Sequence, residues 1–128
     1  MRLFFVFSAT IVWGYLTLGV AQAAPSDESR DWIFSGSELT AALEGKSGDE
    51  ILGEAGRGQE KARAIGYIAG VADTTSGTLW CGAGTVLPHE LVDRVHSHLR
   101  ALGSDRLRLS ASFLVVEGLA GAFPCLSK

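Results

Sequence analysis

From Glu38 onward the apolar residues recur three and four apart, and outside Arg106–Leu109 almost nothing alternates with period two. A period near 3.6 gathers side chains on one stripe of a helix, whereas a half-buried strand needs a period of two. The chain is therefore expected to be all-α: a single small domain of about four main helices. Ser35, Gly36 and Ser37 offer N-caps for a first helix over Glu38–Glu44, with Leu39 and Leu43 on one face and Gly45 ending it. Residues 45–58 carry five glycines and read as a loop, in which Ile51-Leu52 is expected to form a turn packed on the core. A second helix is expected from about Gln59 to Asp73, with Ala62, Ile65, Ala69 and Ala72 as its inner stripe, widened by Tyr67, Ile68 and Val71. Its Gly66 and Gly70 predict a close helix–helix approach, because each glycine costs about 1 kcal/mol inside a helix, mere tolerance of the two glycines being the alternative. Pro88 at an N1-like position opens a third helix to Leu102, with an apolar stripe of Leu91, Val92, Val95, Leu99 and Leu102. Residues 104–109 read as a connector. Ser110 caps a fourth helix over Ala111–Ala122, with Leu114, Val115, Gly118, Leu119 and Ala122 inward, and Pro124 follows it.

The first 23 residues do not belong to that pattern. Met1-Arg2 is a short positive start, Leu3 to Val20 contains no charge, and Ala21-Gln22-Ala23 satisfies an A-x-A cleavage rule. Residues 1–23 are expected to be a secretory signal peptide cut after Ala23, since a cut after Ala24 would leave Pro25 beyond the scissile bond. An uncleaved membrane anchor is the alternative reading of an 18-residue run at the lower edge of spanning length. With no lipobox cysteine near the cut, the expected location is the periplasm or the exterior. Residues 24–36 are then a lead-in, polar up to Asp31, with Trp32-Ile33-Phe34 expected to dock on the core. Residues 37–128 are the domain.

Composition excludes further classes. Without Arg2 there remain ten of the eleven basic residues against all fourteen acidic ones, net −4, so no nucleic-acid footprint is expected. No later apolar run could span a bilayer, so no membrane contact is expected after cleavage. Cys81 and Cys125 are the only cysteines. In an oxidising compartment they are expected to form a structural disulfide, a reactive thiol or metal ligand being the alternative.

No residue constellation argues for catalysis. His96 and His98 lie about 200° apart on a helix and cannot readily share a metal, and His89 is about 10 Å of rise from His96. His98 borders the apolar stripe and reads as a packed histidine. There is no nucleophile elbow or phosphate loop, so no cofactor, metal or catalytic residue is expected. Glu90 and Asp93 suit a helix N-terminus. Arg106 and Arg108 read as a solvated edge. Glu117 reads as an exposed helix residue, with partial burial as the alternative.

The stretches Gly66-Tyr67-Ile68-Ala69-Gly70-Val71-Ala72-Asp73, Trp80-Cys81, Leu87-Pro88 and Ala122-Phe123-Pro124-Cys125 together resemble the Tai/Rap immunity proteins of type VI secretion amidase systems. The resemblance spans about residues 37–125. It implies a small, exported, helical, non-enzymatic protein that binds a cell-wall amidase effector and blocks its cleft sterically, often as a homodimer. It also implies that Cys81 and Cys125 are a family disulfide. Two departures stand out. A second cysteine pair common in the family is replaced by Leu43 or Glu44 and by Ala64. The loop from Cys81 to Pro88 is longer than usual. The glycine-rich loop Thr74–Val86 is the part expected to meet a partner, through Thr78, Leu79, Trp80 and Thr85, aromatic anchors being frequent hot spots. The competing role for Trp80 is core filler under the disulfide. The alternative function is a periplasmic acid-stress chaperone, also small, helical and held by one disulfide.

Overall fold

The structure, a computed structural model, describes residues 33–126; the leader expected over residues 1–23 lies outside them. Among the described residues there are five α-helices and no named strand: α1 Gly36–Leu43, α2 Glu54–Thr75, α3 Pro88–Ala101, α4 Ser104–Leu107 and α5 Ala111–Ala122. The all-α reading holds, and the helix count rises by one because the connector makes a single turn, α4. None of these helices is long and apolar enough to cross a membrane.

Local chemistry sets both ends of α1. The Ser35 hydroxyl accepts from the Glu38 N–H at 3.3 Å, and the Ser35 N–H donates to Glu38 Oε2 at 2.7 Å. This reciprocal pair satisfies two groups that a bare helix start leaves orphaned. At the other end Gly45 takes φ +68°, and its N–H and that of Lys46 close back on the carbonyls of Ala42 and Ala41. A β-carbon would oppose that left-handed turn.

The second helix is longer than its pattern promised. It starts at Glu54, five residues before the expected Gln59, and runs through Gly56 and Gly58 to Thr75. Gly56 is buried because the preceding loop lies on it: a β-carbon there would meet the Asp49 carbonyl oxygen at 2.7 Å. The tertiary contact offsets the poor helix propensity that suggested a loop.

The buried face of α2 keeps Ala72, Tyr67, Ile68 and Val71 of the expected stripe and shifts the rest. Ala64, Ile68 and Ala72 are buried, with Tyr67 and Val71 packed beside them, whereas Ala62, Ile65 and Ala69 face solvent. This helix is rich in apolar residues all round, so two stripes competed and spacing alone could not choose between them. Gly66 and Gly70 lie on the exposed side with nothing within 4 Å of a built β-carbon, so the expected close approach is not made there. It is made by Gly118 of α5, whose β-carbon would meet Cβ, Cγ and Cδ2 of His98 at 3.1–3.2 Å.

The core closes around α2. Leu39 and Leu43 of α1, Val95 and Leu99 of α3, and Leu114, Val115 and Leu119 of α5 are buried, and Phe34 joins them while Ile33 is exposed. Truncating one of the fully buried leucines to alanine is worth about 2–5 kcal/mol. Ala122, expected inward, is exposed, and Ser110 makes no side-chain cap. The first N–H of α5 is instead taken by the Phe34 carbonyl, where Ser35 and Ser110 form an isolated antiparallel bridge. Leu43 and Ala64, two of the positions implied for a missing cysteine pair, both sit in this core.

Candidate functional site

The loop between α2 and α3 is built on two fixed residues. Trp80 is only 2% exposed; its indole N–H donates to the Ala72 carbonyl at 2.9 Å, and its ring lies 6.1 Å from that of Phe123. Leaving that buried indole N–H unpaired would cost about 1–3 kcal/mol. Next to it, the Cys81 N–H donates to the Phe123 carbonyl at 2.9 Å, and Cys81 is bonded to Cys125. The loop is thereby tied to the end of α5 by a side chain, a backbone hydrogen bond and a covalent bond.

This corrects one of the four expected contact residues. Trp80 braces the loop from within and presents no surface to a partner, because its indole is consumed by Ala72 and Phe123. Thr78, Leu79 and Thr85 are exposed, with Leu79 at 54%. The Thr78 hydroxyl donates to the Thr75 carbonyl at 2.9 Å and that of Thr85 to the Gly82 carbonyl at 2.8 Å, so both threonines tighten their own turns while their oxygens can still accept. Sequence reasoning missed Leu87, which is exposed. The signal was its place before Pro88: proline excludes the helical region for its predecessor, and Leu87 is extended at φ −76°, ψ 147°. Glu90 Oε2 accepts from the Leu87 N–H at 2.9 Å and holds it there.

The titratable residues do not gather in this loop. Glu44, at the end of α1, is surrounded by Lys46 at 2.6 Å, His96 at 3.4 Å and Arg100 at 3.8 Å. The hydrogen bond from Lys46 holds its carboxyl below the ordinary value of 4.5, with a smaller contribution from His96 working against the cost of burial. His98 points the other way, with Nε2 3.1 Å from Glu117 Oε1 but off the line a hydrogen bond needs; that nitrogen is otherwise buried and unpartnered. Glu117 is half-buried and also pairs with Arg106, which lies over the Phe113 ring at 5.8 Å. Arg106 is therefore not a free solvated edge, whereas Arg108 pairs with Asp105 on the surface. Among the described residues no group of three or more His, Cys, Asp or Glu is placed to hold a metal ion.

The arrangement is a disulfide-anchored helical scaffold whose α2–α3 loop exposes Leu79 and Leu87. The family model for Rap1a immunity proteins matches residues 35–125, and the chain belongs to that family. No curated protein matches the sequence.

Proposed function

We propose that this chain is an exported immunity protein that binds a peptidoglycan amidase effector of type VI secretion and occludes its cleft, acting by binding rather than by catalysis. The observation that carries the reading is the Rap1a family match over residues 35–125. The apolar run with its A-x-A end at residues 1–23 supports export to the periplasm, the compartment in which such an effector would act. The locked loop supports contact through Thr78, Leu79 and Thr85, since a preorganised segment loses little entropy on docking. Pairing of two copies belongs to the same proposal.

The test is co-expression in the periplasm of peptidoglycan amidase effectors drawn from type VI secretion loci of the source genome, with and without this chain. Lysis by an effector alone and growth when this chain accompanies it is the expected result. Lysis that proceeds unchanged in the presence of the full chain overturns the proposal.

A further inference from the structure

On the side of α2 that turns towards α3, an apolar hollow of about 320 Å³ stays open between the two helices. Lys61 and Ile65 form its α2 wall, and Pro88, His89, Val92 and Asp93 form its α3 wall. Val92 packs on the core below, while Ile65 is 39% exposed. The neighbours of Ile65 on the outer surface of α2 are Ala62, Gly66 and Ala69, all exposed. Ile65 therefore stands above a flat surface, as a knob beside a hole.

The two helices cannot close this hollow by moving together. Ala64, Ile68 and Ala72 of α2 and Val95 and Leu99 of α3 are buried in one cluster, and a close-packed cluster fixes the spacing of the helices that build it. Water over isoleucine, valine and proline is displaced favourably by an apolar group brought from outside.

Charge selects the occupant. Lys61 and Asp93 stand on opposite walls, both exposed and neither in an ion pair among the described residues. His89 is the one other titratable group lining the hollow. A cation on the α2 wall and an anion on the α3 wall make the rim complementary to itself. In a two-fold pair the same patch serves both copies. Rotation by 180° about an axis along the hollow exchanges its walls, so the α2 wall of one copy meets the α3 wall of the other. Lys61 then meets the partner's Asp93, and Ile65 meets the partner's Pro88 and the partner's Val92. A foreign surface would have to supply both charges in that order, whereas a second copy supplies them by symmetry.

We infer that the α2–α3 hollow is the face through which two copies of this chain pair, each Ile65 seated in the hollow of the other copy and two Lys61–Asp93 ion pairs closing the rim. This rests on the pairing included in the proposal above and assigns it a surface. Burial of the isoleucines holds the pair together, and the ion pairs fix its register more than its strength. The glycine face of α2 stays uncovered, since Gly70 lies about 140° round the helix from Ile65. The hollow is small against the roughly 1,200–2,000 Å² that stable interfaces bury, so the pair is a micromolar one.

The experiment is sedimentation velocity of the mature, disulfide-bonded chain over a micromolar concentration series, at about 50 and 300 mM salt. Circular dichroism shows that each variant remains helical. The unaltered chain should pass from monomer to dimer as its concentration rises. The two-fold places Ile65 in the interface twice, so Ile65→Ser should weaken pairing about 10- to 100-fold. Lys61→Asp and Asp93→Lys should each weaken it about 3- to 10-fold, more at low salt, and the double variant Lys61→Asp/Asp93→Lys should restore it. Gly70→Ala, on the uncovered face, should pair as the parent does. A chain that stays monomeric throughout the series overturns the pairing and this face with it, and leaves effector binding to the co-expression test. A dimer that Ile65→Ser and both single charge reversals leave unchanged uses another surface and overturns this inference alone. Loss in both single reversals without recovery in the double variant refutes the two-fold register.

Discussion

Three helical glycines give a direct measure of which faces of this bundle are closed. Gly66 and Gly70 sit in the interior of α2 with open space where a β-carbon would go. Gly118 sits in α5 with the base of the His98 side chain at 3.1–3.2 Å. Replacing a helical glycine with alanine gains about 1 kcal/mol when the methyl meets nothing, because the unfolded chain loses freedom and the helix loses none. Gly66→Ala and Gly70→Ala should each stabilise by about that amount, and the pair by about 2 kcal/mol. At Gly118 the same gain is set against overpacking of about 1–3 kcal/mol. His98 has little room to yield, since the atoms met are the root of its side chain and the ring end is wedged against Glu117. Gly118→Ala should therefore fall about 1 kcal/mol below the parent protein, and about 2 kcal/mol below Gly66→Ala. Differential scanning calorimetry resolves this easily, since 1 kcal/mol moves the midpoint of a domain this size by roughly 4–8 °C. A Gly118→Ala protein as stable as Gly66→Ala would show that α3 and α5 are not in close contact at His98. A destabilised Gly66→Ala/Gly70→Ala protein would show that this face of α2 is covered, and would refute the open face described above.

Two further outcomes follow from the disulfide and the Glu44 cluster. Closing 44 residues between Cys81 and Cys125 contributes about 4 kcal/mol through the unfolded chain, so Cys81→Ser/Cys125→Ser should lose roughly that much in urea unfolding at unchanged pH; an unchanged midpoint would remove the disulfide from the account of stability. Glu44 has a folded-state pKa below its ordinary value, so the stability it contributes is present above about pH 4.5 and is lost as the pH falls through the folded value. The melting temperatures of the parent and Glu44→Gln should therefore differ at pH 7 and converge towards pH 3, and a gap independent of pH would count against the ion-pair cluster.

The parts of the fold that were legible in the sequence share a physical character. α3 is amphipathic, so Val95 and Leu99 could be placed inward from spacing alone, and Pro88 marked its start by removing an N–H that no helix needs there. The end of α5 shortly before Pro124 and the Ser35 cap were visible for the same reason: each depends on neighbours within a few residues. The same locality made Leu79, Thr78 and Thr85 readable as an exposed loop between two fixed ends.

What escaped the sequence was decided between segments distant along the chain. That Ala62, Ile65 and Ala69 of the expected stripe face solvent while Ala64 joins Ile68 and Ala72 inside depends on where α1, α3 and α5 lie, because small apolar residues occur on both sides of that helix. Whether a glycine marks a break, a close approach or an open face is likewise a fact about its neighbours: Gly56 admits the Asp49 loop, Gly118 admits His98, and Gly66 admits nothing from this chain. Trp80 reads from sequence either as a partner anchor or as core filler, and its contacts with Ala72 and Phe123 decide for the core, while Ile51, which reads as core, is exposed on its turn. The sequence by itself determined the helical class, the cysteine pair and most helix limits, since these follow from local periodicity, capping and composition. Only the tertiary structure decided which apolar residues are buried and which are offered to a partner, because hydrophobicity states only that a side chain gains by leaving water, and packing alone determines whether the chain itself provides the cover.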